Sequence, residues 1–545
     1  MLHRNPLSAP ARAVAITISA FSLPWIVSAP IFAQEAKSAP THAPSTSESA
    51  ASEEWEGVYL GRKKVGYNVT RSVPVTYDSR PAIKETTHGV VKLTMLGASL
   101  EEDEDSVSIS DQKHRPLKQI LDVKSNGAAL HVEAIYKYDE RKIYCTVGAG
   151  DSATHKTLDI PKGANFATDT SNLTAGQELV VGKTLEFYYL RPLAVDIHSA
   201  KIEVKSKSTI RDDSGKSIVA YEIHASLAEG DMTGWADKDG NLIRSELPLG
   251  DQTMTTVRET HDHAVDVAYI TPALAKAVAA APEAPTDFAD ATALKPDRVL
   301  PDPRAMRYLK VTISGVPAQN IVPSDDRQAC KRDSSADTGG VTADYTIRAE
   351  RFEAADASQW PVRGAAFAPY LTKAAFLETD DAPIQETAAR IRGKETNLYV
   401  IASHLRDWVH NVMTPDASIG VVRSAKDVYN RRRGVCRDYA TLYTALARAA
   451  GIPTRLCAGI VYADGKFFYH AWAESYVGRW VAFDPTLYDA AKAKYVDATH
   501  IKFAQGDVTQ MFEVVSIVGR LKIHVVESDP PAQDARATAI DKPAS

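Results

Sequence analysis

Between Trp55 and about Asp266 the chain is a succession of short runs in which apolar and polar residues alternate: VGYNVTRSVPVTY, GVVKLTM, DSVSIS, ALHVEAIYKY and KIEVKSKSTI. A period of two sends successive side chains to opposite faces of a strand, and turn residues bound each run. Helical periodicity is scarce here. Many strands at short spacing bury a face only by pairing with their neighbours. The stretch therefore predicts one large antiparallel sheet, curved or partly closed. GWADKDGNLIRSE holds Asp239-Gly240 between two such runs, a hairpin signal.

The remainder divides by composition. At 545 residues the chain is long enough for about three or four domains. Residues 267–302 are rich in Ala and Pro and read as a linker with one short helix. Residues 303–380 hold YLKVTISGV and DYTIRAERF, strands of a small β-module. From 381 the period changes to that of helices. Ile384, Ala388 and Ile391 make one apolar stripe; Leu405, Trp408, Val409 and Val412 make another, and both read as core faces. Residues 526–545 read as a disordered tail.

The first 33 residues carry Arg4 and Arg12, then a mostly apolar run from Ala13 to Ala29, with Ala33 before a cleavage point. This is the pattern of a secretory signal peptide. The run is short for a spanning helix and broken by Pro24, so no membrane span is expected after cleavage. Residues 34–54, rich in Ser, Ala, Pro and Thr, read as a disordered spacer. The expected location is periplasmic or extracellular. A net charge of −6 gives no basic footprint for nucleic acid. Four cysteines, Cys145, Cys330, Cys436 and Cys457, are too few for a disulfide scaffold, although export permits a Cys145–Cys330 bridge. They show neither a CxxC pair nor a zinc spacing, and no metal site is expected.

Chemistry concentrates in GVCRDYATLYTALARAAGIPTRLCAG, residues 434–459. Tyr439 to Ala450 is a strong helix former, with Gly451 as its stop and Pro453 preventing restart. Cys436 then falls in or just before the first turn, where unpaired N–H groups favour a thiolate and can bind an oxyanion. Downstream, YHAWAESYV and WVAFDPT read as the two arms of a hairpin turning at Val477-Gly478-Arg479. That hairpin would bring His470 and Asp484 together, giving a thiol, an imidazole and a carboxylate in series. Each residue also has an ordinary reading: a buried apolar Cys, a strand His, and a turn-forming Asp before Pro485. Cys457 reads as buried and inert, Trp472 and Trp480 as sheet packing, and Tyr469 as packing or a cleft wall. Asp438 reads as a partner of the helix dipole. Trp408 belongs to a core stripe, and His500 has no partner that the sequence names.

GVCRDYA, RAAGIPTRLCAG, HAWAESYV and WVAFDPT, in that order, resemble the core of the transglutaminase-like superfamily over roughly residues 385–500. The resemblance places Cys436, His470 and Asp484 at that family's catalytic triad. It implies an α+β chain whose C-terminal domain, residues 381–525, is papain-like, with helices packed on an antiparallel sheet. In pattern, residues 55–266 resemble the exported half-barrel domains of bacterial envelope proteins. The implied activity is acyl transfer from a glutamine or peptide amide of a protein substrate to an amine or to water, without a cofactor. The alternative is a non-catalytic envelope module that keeps the fold for binding or scaffolding.

Overall fold

The computed structural model describes residues 52–148, 153–168, 174, 177–228, 230–250, 252–271, 274–275, 287–316, 324–332, 341–488, 495–530 and 533–534. The expected signal peptide, most of the spacer after it, much of the Ala/Pro-rich linker and residues 535–545 lie outside the described residues. No helix among the described residues is long and apolar enough to cross a membrane.

Among the described residues, fourteen strands between Ser52 and Glu259 form one antiparallel sheet. From the edge strand Thr154–Asp159 the order runs back through the chain to Ser52–Leu60. That strand pairs with Gln252–Glu259, and the order then returns to the other edge, Thr184–Arg191. Nearly every pairing is therefore a hairpin between chain neighbours. The Asp239-Gly240 turn joins Asp231–Ala236 to Leu242–Leu249, with Gly240 at a φ of 85° and Asp237 N donating to Asn241 O at 2.8 Å. The alternation read from the sequence is the burial pattern of the strands. In Ala98–Asp111 the residues Leu100, Glu102, Glu104, Ser106, Ser108 and Ser110 all face inward. A strap at Asn165–Ala167 pairs with the edge strand through Tyr188, and its Phe166 ring packs on Tyr136, 5.7 Å away.

One expected boundary of this region shifts, and one pairing that the sequence left open is settled. Ser52, Glu53 and Glu54, expected in the spacer, are already in the sheet, because Glu53 accepts from Trp55 Nε1 at 2.7 Å and pairs with Arg71 at 2.6 Å. The Cys145–Cys330 bridge is not formed. Cys145 is buried in the large sheet, Cys330 lies in a different one, and both thiols are free.

The small module is a four-stranded sheet in the order Gln328–Arg332, Val341–Arg348, Tyr308–Val316, Lys522–Asp529. Its last strand crosses the expected boundary at 525, so Val526 to Asp529 are strand and not tail. Val311 pairs with Val525 and Tyr308 with Asp529. Of the Ala/Pro-rich stretch, Phe288–Thr292 is a short helix capped by Asp287, whose side chain accepts from Ala289 N.

Between the module's strands sits the C-terminal core. The helices Ala382–Arg392 and Leu398–Val412 pack against the helix Cys436–Ala449, buried from Cys436 to Arg448. Beside them lies a second four-stranded sheet, ordered Trp480–Phe483, Lys466–Tyr476, Thr454–Ala463, Ile501–Gly506. Gly459 in the third of these strands pairs with His470 on one side and Lys502 on the other. A Cβ at Gly459 would stand 1.9 Å from the carbonyl oxygen of Ile501. Gly459→Ala should therefore cost about 3 kcal/mol or more, since the clash is with backbone and not with a rotatable side chain. An unchanged denaturation midpoint would contradict this account of strand spacing.

The large sheet docks on the core just ahead of Cys436. Ser125 Oγ accepts from Gly420 N at 3.1 Å, Arg431 donates to Gly127 O at 2.7 Å, and Asn126 donates to Ser418 O. The approach at Gly420 is close: a Cβ would lie 2.7 Å from the end of the Leu100 side chain.

Candidate active site

Val435 caps the helix that Cys436 begins, and Asp438 closes the first turn by accepting from Val435 N at 2.9 Å. Arg423 lies 3.2 Å from the same carboxylate, so Asp438 complements the helix end and is occupied by a buried cation. Cys436 is thus the first residue of an α-helix, where N–H groups lack intrahelical acceptors. Arg437, next in the chain, turns its guanidinium to the carbonyls of Gly420 at 3.2 Å and Val421 at 2.8 Å, pinning the loop beneath the large sheet.

His470 lies in the strand Lys466–Tyr476, and Asp484 follows the neighbouring strand Trp480–Phe483. The hairpin brings them together: His470 Nε2 donates to Asp484 Oδ2 at 2.8 Å. The second carboxylate oxygen, Oδ1, accepts from Thr486 N at 2.7 Å and Leu487 N at 3.2 Å, so the turn-forming role and the histidine contact coexist. Among the described residues Nδ1 of His470 has no hydrogen-bond partner, and the Cys436 sulfur is near enough to act on the ring electrostatically. Burial disfavours charge on His470, but the Asp484 carboxylate and the Cys436 sulfur outweigh it and raise its pKa. Burial likewise works against ionisation of Asp484, yet His470 and His500 hold its carboxyl well below the usual range.

The structure adds a residue that sequence reasoning left without a partner. His500 Nε2 donates to the same Asp484 Oδ2 at 3.1 Å, and its Nδ1 lies 3.3 Å from Asp497 Oδ1. Arg304 backs Asp497 at 3.0 Å. The one sequence signal was the spacing Asp497-Ala-Thr-His500 just before a strand. The donor atoms of His470, Asp484 and His500 lie within 4.8 Å of one another, a spacing that a metal ion can use. Two hydrogen bonds to one carboxylate oxygen account for that clustering.

Cys436 and His470 have no exposed surface. The other singled-out residues are structural in their contacts. Cys457 is fully buried, and burial pushes its thiol up well above the ordinary range. Tyr469 OH donates to Ile517 O at 2.9 Å. Trp472 is buried with its ring stacked near His470 at 6.1 Å, and Trp480 lies under Arg455 at 4.2 Å. Trp408 is half-buried and stacks on Tyr429.

Residues 385–485 match the family model of the transglutaminase-like superfamily. An uncharacterized protein of Mycobacterium leprae (strain TN) is 34% identical over 77 residues, 12% of this chain, and the chain spans about a quarter (27%) of that relative's length. Among solved structures, a "putative cysteine protease" from Cytophaga hutchinsonii is 20% identical, covering 40% of this chain and 86% of its own at a TM-score of 0.27. A "putative protease" from Parabacteroides distasonis is 12% identical, covering 67% and 64% at a TM-score of 0.17. The matched span contains Cys436, His470 and Asp484 and ends before Asp497 and His500. Between residues 385 and 485 the chain carries a core of the transglutaminase-like superfamily.

Proposed function

We propose that the chain is an exported thiol enzyme that forms an acyl-enzyme at Cys436 from a glutamine or peptide amide of a protein substrate. The observation that carries this reading is the hydrogen bond from His470 Nε2 to Asp484 Oδ2, which leaves Nδ1 for a thiol at the start of a helix. In the forward step the Cys436 proton passes to His470 Nδ1 and the sulfur attacks the amide carbon. The developing oxyanion takes hydrogen bonds from first-turn N–H groups. Collapse breaks the C–N bond, and His470 returns its proton to the leaving nitrogen. Asp484 keeps the tautomer and stabilises the imidazolium. An amine or water then attacks the thioester as His470 takes the nucleophile's proton; the C–S bond breaks, and His470 returns the proton to the departing Cys436 sulfur.

One observation favours a second reading, a non-catalytic envelope module: Cys436 and His470 are completely covered. Under the enzymatic reading the cover must move for substrate to enter. The deciding experiment incubates the full chain with a glutamine-containing protein and a tagged primary amine, against Cys436→Ala. Tag incorporation lost in the variant supports transamidation, and cleavage or deamidation lost in the variant supports hydrolysis. If neither occurs above the variant's level, the scaffold reading stands.

A further inference from the structure

Asp484 is shared between two imidazoles. His470 reaches its Oδ2 at 2.8 Å and His500 reaches the same oxygen at 3.1 Å, and all three side chains are buried. The other nitrogen of His500 lies 3.3 Å from the Asp497 carboxylate, itself paired to Arg304. A neutral imidazole has one N–H and one lone pair. With Nε2 donating to Asp484, a lone pair on Nδ1 would sit 3.3 Å from an anionic oxygen; an imidazolium turns that repulsion into attraction, although Nδ1 makes no hydrogen bond there. Asp497 stays ionised, since Arg304 and His500 outweigh its burial and hold it well below the usual carboxylate range. Burial works against charge on His500, but Asp497 and Asp484 raise its pKa.

The ring has little freedom to leave. Trp472 and His470 both meet it edge to face at 5.5 Å, and buried Arg327 donates to its backbone carbonyl at 2.7 Å. The titratable and charged groups around it are His470, Asp484, Asp497, Arg304 and Arg327, with Arg406 lining the same small cavity as Asp484 and His500.

We infer that His500, backed by Asp497, is a positioning residue for the Cys436–His470 pair: as an imidazolium it holds the Asp484 carboxylate in place and draws off part of its charge, leaving His470 less basic than that carboxylate alone would make it. The geometry stands by itself, and its catalytic meaning rests on the proposed enzymatic reading. Two oppositely directed influences then set His470, the anion of Asp484 and the cation of His500. The pair is tuned through a strand that enters the sheet beyond the matched core.

The test separates charge from packing. His500→Gln keeps a donor for Asp484 and removes the cation. In the full chain, with Cys436→Ala to silence chemistry, imidazole titration by NMR should show the His470 midpoint rising by about one unit or more, as expected for losing a charge one ring away. With Cys436 present, the alkaline limb of the pH–rate profile should move up by the same amount. An unchanged His470 midpoint in a folded His500→Gln protein overturns the inference. Asp497→Asn keeps the ring and serves if His500→Gln does not fold. The His500 midpoint should then fall, and a constant one overturns the inference equally. A His470 shift in a protein without acyl-transfer activity would retain the electrostatic assignment and reject the enzymatic reading. Activity with no shift would do the reverse.

Discussion

Cys436→Ala should lose acyl transfer by at least about 10⁴-fold, the scale seen when a nucleophile is removed from a catalytic triad. Cys457→Ala should leave turnover in place. Both thiols are fully buried, so burial alone does not distinguish them. Their surroundings do: Cys436 opens a helix within reach of His470, whereas Cys457 lies mid-strand with its pKa pushed up by burial. Because Cys436 has no exposed surface, its alkylation must wait for an opening motion. The labelling rate should then level off as reagent concentration rises, at the rate of opening. Turnover that survives in Cys436→Ala would remove the thiol from the mechanism altogether.

Glu102→Gln should stabilise the chain at pH 8 and leave it nearly unchanged at pH 4.5. Glu102 faces inward from the large sheet, and among the described residues neither of its carboxyl oxygens has a hydrogen-bond partner. Burial pushes its pKa from 4.5 to about 7, against a smaller opposing pull from Arg437. A carboxyl whose folded pKa is raised contributes its stability in the protonated form. That stability is complete below about pH 4.5 and is lost as pH rises through about 7. The difference of 7 − 4.5 corresponds to about 3 kcal/mol. Glu104, two residues on and also buried, is raised in the same direction by burial and by the Glu102 charge. Urea unfolding of wild type and Glu102→Gln at pH 4.5 and pH 8 measures the effect. Parallel pH dependence in the two proteins would show that Glu102 is hydrated. Since Leu100 and Ser125 of the same face rest on Gly420, and Arg437 holds the carbonyl of Gly420, this ionisation loads the contact beside Cys436.

The parts of this architecture that were legible in the sequence are those made by chain neighbours. The large sheet is almost entirely hairpins, so a period of two and turn residues sufficed to anticipate it. The helix that Cys436 begins could be read from Gly451 and Pro453 beyond its end, and the His470–Asp484 contact from one hairpin. His500 was not legible, because it leads into the strand Ile501–Gly506. That strand joins the far edge of the sheet, two strands away from the one carrying His470 and three from the one that leads to Asp484. A sequence carries no mark of which edge a later strand will join. The acidic run from Glu101 to Asp105 is similarly mute: its composition suggests a solvated strand, and only the docked core explains why Glu102 is covered.

The strand Lys522–Asp529 completes a sheet begun by Tyr308–Val316, so the small module closes around everything between them, like a clasp. During synthesis, helices and hairpins can form as they leave the ribosome. The clasp cannot shut until residue 529 has been made, because one of the two strands flanking Tyr308 is the last of the four to emerge. Excising residues 385–485 by trimming either flank would therefore leave a strand edge without its mate. A nascent chain halted before that point would leave Tyr308–Val316 with only one of its two flanking strands.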